Sequence, residues 1–169
     1  MARDHARIGV DIWDDPEWTA LTSLQQTVYL SLISARALSY CGVLPLIPVR
    51  LARVARDLSA RKVTAALDAL EAGRFLVIDH DTAEILVRSY VRHDGLLKQP
   101  NVTKALVSAL RKVESERIRE AVKVELVRLL AEQPEARGWG GYQAADPEGF
   151  AGLLARASGN PSGNPSGKG

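Results

Sequence analysis

Five basic side chains crowd into residues 48–64: Arg50, Arg53, Arg56, Arg61 and Lys62, against a single acid, Asp57. This local excess of +4 stands out in a chain whose net charge is only +2. Cationic groups gathered on one surface neutralise phosphates and displace their counterions, and arginine also forks onto the N7 and O6 edge of guanine. Next to them, the Thr64 hydroxyl can bond base or phosphate, and Ala65 is small enough for close approach or for a thymine methyl. Further along, Arg92 and Lys98, with Arg88, are expected to add contacts to the nucleic-acid backbone.

No comparable set of residues supports catalysis. His5, His80 and His93 fall in three separate segments, and Cys41 has no evident base beside it. A lone cysteine forms neither an internal disulfide nor a metal-binding thiol pair, so Cys41 reads as a small buried thiol. Phosphate-binding glycine loops and the H-E-x-x-H zinc signature do not occur. Asp14 and Asp15 precede a helix and suit turn and capping positions. The chain is therefore expected to be no enzyme, with no cofactor and no metal.

The hydropathy pattern supplies elements to hold the basic residues. Alternating Ile8, Val10 and Ile12 suggest a short N-terminal strand, fastened by Trp13 and Trp18 as core anchors. A helix is expected from Thr22 or Ser23 to about Ser39, then an edge strand in the Gly42–Pro48 stretch, where Pro45 cannot donate to a ladder. Residues 48–58 read as an amphipathic helix with Leu51, Val54, Ala55 and Leu58 on one side and the three arginines on the other. Ser59 caps the next helix, in which Val63, Ala66, Leu67 and Leu70 form the buried stripe and Gly73 ends it. The tight connection between these two makes a helix–turn–helix, with Arg61, Lys62, Thr64 and Ala65 near the start of its second helix, where groove contacts are made. Asp68 on the same face opposes phosphate.

Residues 75–91 read as a β-hairpin turning at His80, Asp81 and Thr82. Its tip is acidic, so it should stay off phosphate or face a protein. Beyond it, Asn101 and Ser115 can cap two helices, or the two can run as one. Residues 116–132 show an apolar side that needs a partner surface, on this chain or on a second copy. From Gln133 the periodicity fails, leaving loop with one short helix near Gly149–Ala157, and the tandem Gly-Asn-Pro-Ser tail reads as a solvated linker. The fold class is thus mainly α with a small β-hairpin: a winged helix–turn–helix over residues 1–97, a helical extension over 98–133, and a flexible, loop-rich end over 134–169.

With 169 residues, 46% hydrophobic and 25% charged, the chain suits an ordinary globular domain. Its apolar runs fall short of the ~18 residues of a membrane span, and MARDHARIGV has no signal-type apolar stretch, so a cytoplasmic protein without membrane contact is expected.

The succession RIGVDIWDDPEWTALTSLQQTVYLSLI, CGVLPLIPVRLA, ALDALEAGRFLVI and ILVRSYVRHDGLLKQPN resembles the N-terminal winged-helix module of phage and prophage replication-initiation (replisome-organiser) proteins, most closely those of actinobacterial phages. The likeness covers roughly residues 5–101. It rests on Trp13 before an acidic turn, the Gly42-to-Leu44 strand, the Ala66–Val77 helix-to-strand run, and the polar Arg92-His93-Asp94 loop. It implies binding of origin DNA and recruitment of replication machinery such as a helicase or loader. Duplex DNA binding in replication initiation is the first expectation. A transcriptional regulator of mobile-element genes, or a winged-helix protein-interaction module, are the alternatives. By analogy with single winged helices, which bind weakly alone, a homodimer is expected.

Overall fold

Thr22, Ser59 and Ser115 each start a helix by offering a hydroxyl to a free backbone amide of its first turn. In the computed structural model, which describes residues 6–93 and 95–159, Thr22 and Gln25 form a reciprocal capping box. Ser59 Oγ accepts from Lys62 N at 3.3 Å, and Ser115 Oγ from Ile118 N at 3.1 Å. Such caps each contribute about 1 kcal/mol. They mark the starts of α2 (Ser23–Ile33), α4 (Ala60–Ala72) and α7 (Glu116–Glu132); α1 is the single turn Pro16–Thr19 and α3 the turn Pro48–Leu51.

Between these helices runs a small antiparallel sheet of β1 (Val43–Pro45), β2 (Leu76–Asp79) and β3 (Glu84–Val87), in the order β1-β3-β2. Pro45 lies on the edge strand β1, opposite Glu84, where a missing amide donor is tolerated. The hairpin pairs Asp79 with Glu84 around a turn in which Asp79 Oδ1 accepts from the amides of Asp81 and Thr82. The chain then forms α5 (Tyr90–His93), which takes in Val91, expected in the strand. The remaining described residues are mainly helical: α6 (Pro100–Leu110), α7, α8 (Gly138–Ala145) and α9 (Pro147–Ser158). The molecule is mainly helical with one small sheet.

One continuous apolar core runs from Trp18, Leu32 and Leu67 through Ile78 and Ile85 to Leu106, Ile118 and Trp139. The apolar side of α7 is used up inside it: Ile118, Val122 and Leu126 are fully enclosed by the chain itself. That surface therefore offers no reason to expect a homodimer.

Several sequence expectations are corrected. The segment expected as an N-terminal strand is a 3-10 turn, Val10–Asp14, running directly into the Asp15 cap of α1, and the sheet is made of β1, β3 and β2 alone among the described residues. Only one of the two tryptophans anchors the core: Trp18 is 1% exposed, whereas Trp13 is 61% exposed and meets it edge to face at 6.2 Å. The first long helix ends at Ile33, where Ser34 Oγ bonds back to Leu30 O at 2.6 Å, rather than near Ser39. The helix after Ser39's loop is likewise short: α3 gives way to a 3-10 turn over Ala52–Val54, and Ala55 is extended. Of its intended stripe, Leu51 is buried and Leu58 packs partly buried against the core, but Val54 is half exposed. Asn101 does not cap α6; Pro100 occupies the first helical position, preceded by Gln99 without a side-chain cap.

The short helix expected near Gly149–Ala157 is present as α9, but the loop expected before it holds a further helix, α8. Glycines at 138 and 141 suggested loop, yet they are there for contact: a Cβ on Gly141 would lie 2.0 Å from Pro100 O, and one on Gly138 2.7 Å from Leu97 Cα. Thr103 Oγ1, fully buried, donates to Gly138 O at 2.6 Å across the same seam. Trp139, Tyr142 and Phe150 then form an aromatic cluster with centroids 6.0–6.3 Å apart. The terminal Gly-Asn-Pro-Ser repeat, from residue 160, lies outside the described residues, as do His5 and the His93 side chain.

Candidate nucleic-acid interface

The basic residues of 48–64 occupy three consecutive segments: Arg50 on α3, Arg53 on the 3-10 turn, and Arg61 and Lys62 in the first turn of α4, with Arg56 in the connection. All five are exposed, as are Thr64 and Ala65. The guanidiniums of Arg50, Arg53, Arg56 and Arg61 form no ion pair or hydrogen bond among the described residues. Lys62 is different, since its Nζ donates to Asp57 O at 2.8 Å and clips the turn that leads into α4. Thr64 also turns inward, donating to Ala60 O at 3.0 Å. Because α3 is short, the arginines do not form the single helical face expected; they follow a bent ridge. Exposed Val49 and Val54 lie among them, a feature that the helical pattern concealed by assigning Val54 to the core.

Behind this ridge α4 is held by its buried stripe of Val63, Ala66, Leu67 and Leu70, as its spacing predicts. Glu71 fixes the far end: its Oε1 accepts from Ile78 N at 2.8 Å and from Arg117 Nη2 at 3.1 Å. Arg117 Nη1 in turn donates to Ile78 O at 2.7 Å. Glu71 and Arg117 thus tie the C-terminal end of α4 to β2 and to the start of α7.

The outlying basic residues are placed otherwise. Arg92 Nη2 lies 3.6 Å from Glu125 and 3.7 Å from Glu132, and Arg88 Nη2 donates to Glu125 at 3.2 Å. Glu125 also meets Arg128, so three guanidiniums surround one almost buried carboxylate. Arg88, at the end of the hairpin, and Arg92, on α5, therefore pair with acids of α7. Glu125 was missed in the sequence, though a signal existed: it stands seven residues after Ile118, on the buried stripe of α7. Lys98 is exposed on the 3-10 turn Leu96–Lys98, beside α5, α6 and α8.

Asp79 and Glu84, the acids that close the hairpin turn, face the start of the chain's own α7, whereas His80 and Asp81 at the tip are exposed. Glu84 accepts from Glu114 N at 3.1 Å and from Ser115 N at 2.8 Å, and Asp79 Oδ2 accepts from Ser115 Oγ at 2.5 Å. The Ser115 hydroxyl, followed by the amide of Thr82, holds the Asp79 carboxyl below the usual aspartate range. Cys41 is buried, with its thiol pushed up by burial.

Among the described residues, no group of three His, Cys, Asp or Glu side chains could hold a metal ion, and no helix is long and apolar enough to cross a membrane. No protein-family model, curated protein or solved structure matches the chain.

Proposed function

We propose that this protein binds duplex DNA through the ridge formed by α3, the following turn and the start of α4. The observation that carries this reading is the run of four exposed guanidiniums, Arg50, Arg53, Arg56 and Arg61, without a carboxylate partner. A solubilising surface would normally interleave acids among them; a phosphate-facing one would not. Three helices, α2, α3 and α4, followed by a hairpin in a sheet of order β1-β3-β2, support reading residues 23–87 as a winged helix–turn–helix. In that arrangement α4 enters the major groove by its N-terminal end, with Arg50 and Arg53 against phosphates. The acidic hairpin turn, whose Asp79 and Glu84 are docked on the chain itself, takes no part, and Arg92 positions α7 rather than DNA.

The role in phage-type replication initiation, with a helicase or loader as partner, rests on the sequence resemblance over residues 5–101. The test is an anisotropy titration with duplex from around the protein's own gene against a scrambled duplex of equal length. Preference for the native duplex is expected; equal, weak binding to both would remove the origin-binding role. A second reading, a protein-interaction module, is favoured by one observation: Val10 and Trp13 expose apolar surface at 90% and 61%. Capture of a protein partner by a chain that binds neither duplex would select it.

A further inference from the structure

The outward centre line of α4 carries only two hydrogen-bonding heads. At about 100° per residue, Arg61, Ala65, Asp68 and Ala72 lie within about 40° of one direction. All four are exposed, and the buried Val63, Ala66, Leu67 and Leu70 occupy the opposite side. The two alanines contribute methyl groups alone, so a surface lying along this line meets a guanidinium and a carboxylate with space between them. The Asp68 carboxylate makes no hydrogen bond or ion pair among the described residues.

Nothing in the local structure accounts for an aspartate there. Its helical neighbours at three and four residues are Thr64, Ala65, Glu71 and Ala72, so no cation stabilises it along the helix. It lies past the first turn, where the helix dipole rewards a carboxylate, and aspartate is a poor helix former. On a face proposed to meet phosphates it also costs repulsion. A carboxylate has, however, one specific use in a major groove: it accepts from the N4 amino group of cytosine. Glu84 and Asp79 at the base of the hairpin turn are engaged by residues 114 and 115, and the exposed tip beyond them carries the acid Asp81, which leaves base reading to α4.

We propose that Asp68 is a specificity-determining residue that accepts from a cytosine N4, while Arg61 forks onto a guanine about three base steps away. The spacing follows from seven residues at 1.5 Å each, about 10 Å, against about 3.4 Å per base step. This inference rests on the duplex-DNA reading above. The test is selection of bound duplexes from a randomised library by the full chain, its Asp68→Asn and Asp68→Ala variants, and sequencing of each pool. The wild type should enrich a cytosine about three positions from a guanine. Asp68→Asn should convert that cytosine to adenine, because an amide pairs with adenine N6 and N7, and Asp68→Ala should flatten the position, each shift about tenfold. If both variants keep the wild-type preference and merely bind all duplexes more tightly, Asp68 is a repelling charge and the inference falls. Enrichment of a motif without the guanine–cytosine pair overturns it as well. Absence of any duplex binding by the wild type overturns the DNA reading itself.

Discussion

The Ser115 hydroxyl donates to the Asp79 carboxylate at 2.5 Å, joining the turn of the hairpin to the start of α7. The same serine caps α7 through Ile118 N, and its own amide bonds Glu84. One residue therefore stitches the sheet to the C-terminal helices, and it does so with the acids that make the hairpin tip unsuited to phosphate. Asp79 and Glu84, at the base of the turn, are docking residues within the chain.

Replacing Ser115 with Ala removes a cap and leaves Asp79 without its hydroxyl partner. We expect a loss of about 1–3 kcal/mol, read as a lower urea midpoint. An unchanged midpoint would show that the junction contributes nothing to stability.

Acid should loosen the same junction. The pKa of Asp79 is depressed in the fold, so its stabilising share is complete above the unfolded value of about 3.9 and is lost as pH falls through the folded value. Glu116, beside Arg119, and Glu120, beside Arg156, are depressed too and act in the same direction. Thermal unfolding of Asp79→Asn followed from pH 5 downward should be less stable than wild type at the start and fall less steeply. Parallel curves would contradict the assignment.

Gly141 should tolerate no side chain. The methyl of Gly141→Ala would meet the Pro100 carbonyl at 2.0 Å, backbone that cannot swing aside. A cost of about 3 kcal/mol is expected, whereas Gly140→Ala, with nothing within 4 Å, should be neutral or slightly stabilising. Equal effects of the two substitutions would argue against the close α6–α8 seam.

What could be read from the sequence was local chemistry. Thr22, Ser59 and Ser115 announced helix starts, the Val63–Leu70 stripe gave α4 its buried face, and the polar run after Ile78 marked the hairpin turn. What could not be read depended on partners distant in sequence. Gly138 and Gly141 look like loop residues until Leu97 and Pro100 are seen against them. Arg92 looks like a free cation until Glu125, on a helix more than thirty residues further on, is placed beside it. Val54 fits a helical stripe, but α3 ends before it. The basic cluster itself was evident, because its residues are close in sequence; its bent shape was not.

The account's central claim is that Arg50, Arg53 and Arg56 meet DNA phosphates whereas Arg92 does not. The direct measurement is the salt dependence of duplex affinity by fluorescence anisotropy for the wild type, the triple variant Arg50→Ala/Arg53→Ala/Arg56→Ala, and Arg92→Ala. The triple variant should bind more weakly, with the log–log salt slope reduced by up to about three, while Arg92→Ala keeps the wild-type slope. A triple variant with unchanged affinity and slope, or an Arg92→Ala variant that alone loses binding, would contradict it.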